Sequence, residues 1–103
     1  MAENVETTDI TQSQIDSWKK SHGEVFCVEV EDKKCYLKRP SRKALGAAAV
    51  LSGGDSIKYN EVILNNCWLG GDEEFKTEDA YFLGISQTLA ELIEVKKATL
   101  KKV

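Results

Sequence analysis

The chain has 103 residues, of which 42% are hydrophobic and 30% are charged, and its formal net charge is −3. This length allows one domain with a modest core, and this composition is that of a globular chain rather than a disordered one. The negative net charge disfavours nucleic acid as the main partner, and no apolar run approaches the ~20 residues that a membrane-spanning helix needs.

The cysteine pattern indicates a reducing compartment. Cys27, Cys35 and Cys67 are an odd number of thiols without the CxxC spacing of a redox or zinc motif. No basic segment followed by an apolar one precedes them, so a secretory signal is not expected. We therefore expect a cytoplasmic protein with reduced thiols. The alternative for the thiols is that Cys27 and Cys35 act as a redox pair.

Residues 1–9 are polar and without periodicity, which predicts a flexible acidic arm. The remainder, residues 10–103, is expected to form a single α+β domain. Thr11 and Gln14 have the spacing of a capping box, which indicates the start of a helix. The sequence therefore predicts a helix over about 12–21.

Two short segments, residues 25–30 and 34–39, have strand composition and flank a polar turn, which predicts an antiparallel hairpin. Cys27 falls on the face opposite Cys35, so a disulfide across the hairpin is disfavoured. The alternation places five apolar side chains on one common face: Phe26, Val28, Val30, Cys35 and Leu37.

Two capped helices are expected after the hairpin. Ser41 is placed to cap a helix over about 42–51, and Asp55 to cap another over about 56–68. A glycine pair follows each segment and is typical of a helix end.

The last and longest predicted helix covers residues 78–101, with Thr77 as its cap. Because Lys96 interrupts the apolar stripe, we expect its final turns to extend into solvent or towards a partner. The predicted fold class is thus α+β, with a short antiparallel hairpin followed by three helices and an additional N-terminal helix.

Residue chemistry offers no sign of an enzyme. His22, the single histidine, has no clustered partner in the sequence, and no phosphate-binding glycine loop is present. We expect no catalytic residues, no cofactor and no metal.

One electrostatic asymmetry stands out, a basic cluster at the end of the hairpin. It could bind a phosphate backbone, and nearby carboxylates such as Glu29 and Asp32 could instead neutralise it. The cluster comprises Lys38, Arg39, Arg42 and Lys43.

The order of elements, together with residues 37–45 (LKRPSRKAL), resembles the tail assembly chaperones of long-tailed bacteriophages and prophages. In that family an alternating strand passes through a Pro/Ser/Thr cap into a basic helix start. Residues 60–68 (NEVILNNCW) match the family's following helix, and the resemblance covers about residues 14–95.

The resemblance implies a non-enzymatic assembly factor in the cytoplasm of a bacterial host cell. Such proteins bind the long, helical tape-measure protein and keep it soluble until the tail-tube protein, a second partner, polymerises around it. A homo-oligomer is compatible with this role. The rival hypotheses are a small nucleic-acid-binding regulator and a structural tail or connector component.

A chaperone for a helical partner needs exposed apolar surface rather than an active site. We therefore expect the partner to bind the apolar helix end near residue 68 and the stripe of the last helix. The candidate partner-binding residues are Trp68, Leu69, Phe82, Ile85, Leu89, Leu92 and Ile93.

Overall fold

A computed structural model describes residues 10–103, and the arm predicted for residues 1–9 lies outside them. The predicted α+β class is confirmed: helices combine with a three-stranded antiparallel sheet of order β1-β2-β3. The elements in chain order are α1 (Gln12–His22), β1 (Val25–Val30), β2 (Lys33–Lys38), α2 (Arg42–Ser52), α3 (Ser56–Cys67), β3 (Trp68–Gly71), α4 (Glu74–Thr77), α5 (Asp79–Ser86) and a 3₁₀ turn (Leu89–Leu92).

The predicted caps of the first three helices are confirmed. The backbone N–H of Gln14 donates to Thr11 Oγ1 at 3.1 Å, and the Gln14 side chain accepts from the Thr11 N–H at 3.0 Å. Ser41 caps α2 and Asp55 caps α3 through the same kind of contact with backbone N–H groups. These bonds satisfy donors that a helix leaves unpaired at its N-terminus.

The hairpin has the predicted register. Phe26 pairs with Leu37 and Val28 with Cys35, so these side chains share one face of the sheet. Cys27 pairs with Tyr36 on the other face, which keeps its thiol away from Cys35.

The third strand, β3, was not predicted. α3 ends at Cys67, and the chain continues as β3, which pairs antiparallel with β2 across a bulge. The glycine pair at its end had been interpreted as a simple helix stop. Gly71 instead has φ +130°, and a Cβ built on it would lie 2.5 Å from both Cys35 Cα and the Lys34 oxygen. Only glycine permits so close an approach of two backbones.

Asp72 reinforces the same contact. Its Oδ2 accepts a hydrogen bond from the Lys34 N–H at 2.9 Å, and its own N–H donates to the Lys34 oxygen at 3.0 Å. Asp72 is buried, and these paired bonds offset the cost of removing its polar groups from water.

The helix predicted over residues 78–101 is wrong. α5 ends at Ser86, the chain makes the 3₁₀ turn, and residues 93–103 contain no helix. Side-chain hydroxyls compete for the carbonyls at the break: Ser86 donates to the Phe82 oxygen and Thr88 to the Ile85 oxygen, each at 2.8 Å. Thr77 ends α4 rather than capping α5, whose N-cap is Glu78.

The core lies on one face of the sheet, under α2, α3 and α5. On the opposite face Trp18 of α1 packs on Tyr36, with ring centroids 5.8 Å apart, and lies close to Gly70. The buried core consists of Cys35, Leu37, Ala48, Ile63, Leu64, Cys67, Phe75, Phe82, Ile85, Leu89 and Leu92.

The helices of residues 10–103 include none with the length and apolarity that crossing a membrane requires.

Replacing Gly71 with alanine should lower the free energy of unfolding by about 1–3 kcal/mol, because the new Cβ meets the β2 backbone at a strained φ. Gly46→Ala is the matched control. Gly46 lies inside α2 with nothing near its Cβ position, so this change should stabilise the chain by about 0.5–1 kcal/mol. Chemical denaturation measures both, and equal effects of the two variants would contradict the close β2–β3 contact.

Candidate partner-binding surface

The structure separates the seven candidate partner-binding residues into two groups. Phe82, Ile85, Leu89 and Leu92 are buried in the core, so they do not form the exposed stripe that was expected. Phe82 and Ile85 are buried by the packing of α5 itself. Leu89 and Leu92 are buried because the chain turns back onto α3 after α5 instead of continuing as a long helix. Trp68, Leu69 and Ile93 are half-buried and remain accessible.

Ile93 borders an apolar groove between α3 and the 3₁₀ turn, which we call the Ile93 groove. Its volume is about 270 Å³. The buried Ile63 and Leu89 contribute to its apolar lining, and Ala90 is exposed beside them. The lining is Tyr59, Asn60, Ile63, Ser86, Leu89, Ala90 and Ile93.

Arg39 holds the 3₁₀ turn that forms one side of the Ile93 groove. Its Nη1 donates to the Leu92 carbonyl oxygen at 2.8 Å, and its Nε donates to Glu24 Oε1 at 2.6 Å. The guanidinium also lies over the Phe26 ring, 4.8 Å from its centroid. The side chain thus ties the end of the hairpin to the last turn of the core.

This role changes the interpretation of the basic cluster. The guanidinium of Arg39 is engaged within the fold, and Lys38 is half-buried on β2. Arg42 and Lys43 are exposed at the start of α2. The four side chains therefore do not present one uniform set of free cations to a phosphate backbone.

A second groove, which we call the Leu83 groove, lies between α3 and α5. Its volume is about 290 Å³. Ile57 and Leu83, in its lining, are 48% and 50% exposed, so both present apolar surface to solvent. The lining is Ile57, Glu61, Lys76, Asp79, Phe82 and Leu83.

Trp68 is partly covered by a cation. Lys76 Nζ lies 4.4 Å from the centroid of the indole ring, and the ring packs on the core from β3. Trp68 therefore contributes chiefly to the fold, and it remains only partly accessible.

The three thiols differ in accessibility. Cys27 is exposed, whereas Cys35 and Cys67 are fully buried. Burial raises the pKa of Cys35 to about 12 and that of Cys67 to about 11, because the thiolate loses its hydration. Partial burial and the Glu29 carboxylate also raise the pKa of Cys27. None of these environments activates a thiol.

Among residues 10–103, no group of three or more histidine, cysteine or acidic side chains is arranged to hold a metal ion. His22 ends α1 on the surface, without a metal-binding cluster around it.

Comparison with protein-family models, curated proteins and solved structures finds no match to this chain. The surface grooves are therefore the features from which function must be argued.

Sequence reasoning identified part of the Ile93 groove and missed the rest. Leu89 and Ile93 were among the candidates, but Tyr59 and Ala90 were not. Tyr59 lies on the same predicted helix as Ile63 at a spacing of four, which places the two on one face. Ala90 carried no signal, because its position depends on the unpredicted 3₁₀ turn.

Arg39→Ala should destabilise the chain by about 1–3 kcal/mol, mainly because the Leu92 carbonyl loses its donor. The exposed ion pair with Glu24 adds less than about 1 kcal/mol to this loss. Arg42→Ala, in the same basic cluster but exposed, should change stability by less than about 0.5 kcal/mol. Hydrogen exchange of residues 89–93 should accelerate only in Arg39→Ala; unchanged exchange would show that the turn does not depend on Arg39.

In the native state a thiol reagent should label Cys27 rapidly and leave Cys35 and Cys67 unlabelled at neutral pH. The two buried thiols should react only on global unfolding. Their labelling rate should therefore be proportional to the fraction of unfolded chain. Mass spectrometry of peptides from native and denaturant-treated samples measures this. Rapid native labelling of Cys35 would contradict the packing of β2 against the core.

Proposed function

We propose that this chain is a non-enzymatic tail assembly chaperone of a long-tailed bacteriophage or prophage. In this role it binds the tape-measure protein in the cytoplasm of the host cell and keeps it soluble during tail morphogenesis. The resemblance over about residues 14–95 suggests the family. The observation that supports a binding role is the Ile93 groove, which has an apolar lining and an accessible mouth.

The chemistry of the groove lining suits a helical partner. Its buried apolar side chains are Ile63 and Leu89, and polar groups of Asn60 and Ser86 lie among its lining. An apolar floor with polar groups nearby is how proteins receive one face of an amphipathic helix. The tape-measure protein of such phages is long and helical, and it offers many such faces.

The size of the groove suits reversible binding. A cavity of on the order of 150 Å³ holds a molecule as large as benzene, so about 270 Å³ receives one or two large apolar side chains. A contact with so few anchors gives modest affinity at each site. A chaperone that must release its partner to the polymerising tube benefits from several weak contacts rather than one strong one.

The nucleic-acid alternative has less support, because Arg39 in the middle of the basic cluster bonds to Glu24 and to the Leu92 carbonyl. Binding to a phosphate backbone would weaken steeply with salt, whereas binding in an apolar groove would change little. A salt titration of the complex separates the two hypotheses. Retention of the chain in finished particles would instead favour the structural-component alternative.

Ala90→Glu should abolish the ability of the chain to keep its tape-measure protein soluble. Ala90 is exposed at the Ile93 groove, so a glutamate there blocks the groove with a charge while leaving the core intact. Ala47→Glu is the matched control, since Ala47 is exposed on α2 and outside the groove. The measurement is the soluble fraction of the tape-measure protein on co-expression with each variant.

Circular dichroism of both variants establishes that each remains folded. Polar replacement of Leu89 or Leu92 is less informative, because both are buried and their loss would unfold the chain. Retention of full activity by a folded Ala90→Glu variant would refute binding in the Ile93 groove. Failure of the unmodified chain to solubilise the tape-measure protein would refute the chaperone proposal.

A further inference from the structure

Residues 94–103, which we call the extended segment, follow the 3₁₀ turn without regular structure and are exposed throughout. Three large apolar side chains face solvent there: Val95 at 81% exposure, Leu100 at 99%, and Val103, which is also fully exposed. Glu94, the single acid of the segment, pairs with Lys96 at 3.5 Å. The segment is otherwise strongly basic through Lys96, Lys97, Lys101 and Lys102.

The Leu83 groove has the complementary properties. Ile57 and Leu83 line it and are each about half exposed. Glu61 and Asp79 line it and are exposed, so they offer negative charge to an incoming segment. The one cation in the lining, Lys76, lies over the Trp68 ring.

We propose that the Leu83 groove of one copy binds the extended segment of a second copy of this chain. Leu100 enters the apolar part of the groove, and lysines of the segment lie beside Glu61 and Asp79. The basis is the match of apolar side chains to an exposed apolar groove and of opposite charges around it. This inference is independent of the phage role.

The arrangement favours exchange between copies. The segment does not pack on its own domain, since Val95 and Leu100 are almost fully exposed. Ten extended residues span up to about 33 Å, enough to reach across to a neighbouring copy. If each copy gives its segment to the groove of the other, the two identical contacts close a symmetric dimer.

Analytical ultracentrifugation of the full chain over a wide range of concentrations tests the proposal. The unmodified chain should form dimers, and Leu100→Asp and Leu83→Asp should each weaken dimerisation about tenfold or more. Val50→Asp is the control, because Val50 is 80% exposed on α2 and does not line the groove. It should leave dimerisation unchanged.

Mixing the two weakened variants provides the sharpest outcome. Leu83→Asp keeps an intact segment and Leu100→Asp keeps an intact groove, so the mixture regains one of the two contacts and should form heterodimers that neither variant forms alone. Glu61→Lys changes an exposed site and should also weaken dimerisation, so it tests the groove even where Leu83→Asp perturbs the fold. A monomeric unmodified chain would overturn the proposal, as would dimerisation that all of these groove and segment variants leave intact.

Discussion

The close approach of Gly71 to the backbone of β2 is the constraint on which the rest of the structure depends. At this point β3 joins the hairpin, and Asp72 bonds to both backbone groups of Lys34. Because α3 runs directly into β3, the contact also places α3 over the apolar face of the hairpin. Without it, the hairpin and the α2–α3 pair would be two small units, each too small to bury an adequate core.

Local chemistry explains which parts of the fold could be predicted from the sequence. Thr11, Ser41 and Asp55 form caps whose partners lie two or three residues away, and the alternation in β1 and β2 determines the register of a short hairpin. β3 could not be predicted in this way, since Gly71 pairs with a residue far earlier in the chain. The end of α5 is a mixed case: Ser86 and Thr88 act locally, but the contact from Arg39 to Leu92 in the turn comes from far earlier in the chain.

The Ile93 groove depends on the contact between Arg39 and Leu92. The sequence predicts an exposed helix face over residues 78–93, but α5 buries Phe82 and Ile85, and the turn at Leu89–Leu92 buries two more leucines. The apolar surface that remains accessible includes a groove shared with α3, to which Ile93 and Ala90 contribute, and the half-exposed Leu83 of α5. The apolar surface is thereby concentrated at a concave site, which is a better receptor for a helix than a convex stripe would be.

Site-specific photo-crosslinking in cells that also express the proposed partner, a tape-measure protein, tests the central claim most directly. A photoreactive phenylalanine at position 90, on the Ile93 groove, is compared with the same residue at position 47, on the exposed side of α2. The account predicts a crosslink from position 90 to the tape-measure protein and none from position 47. Equal crosslinking from both positions, or none to that protein from position 90, would contradict it.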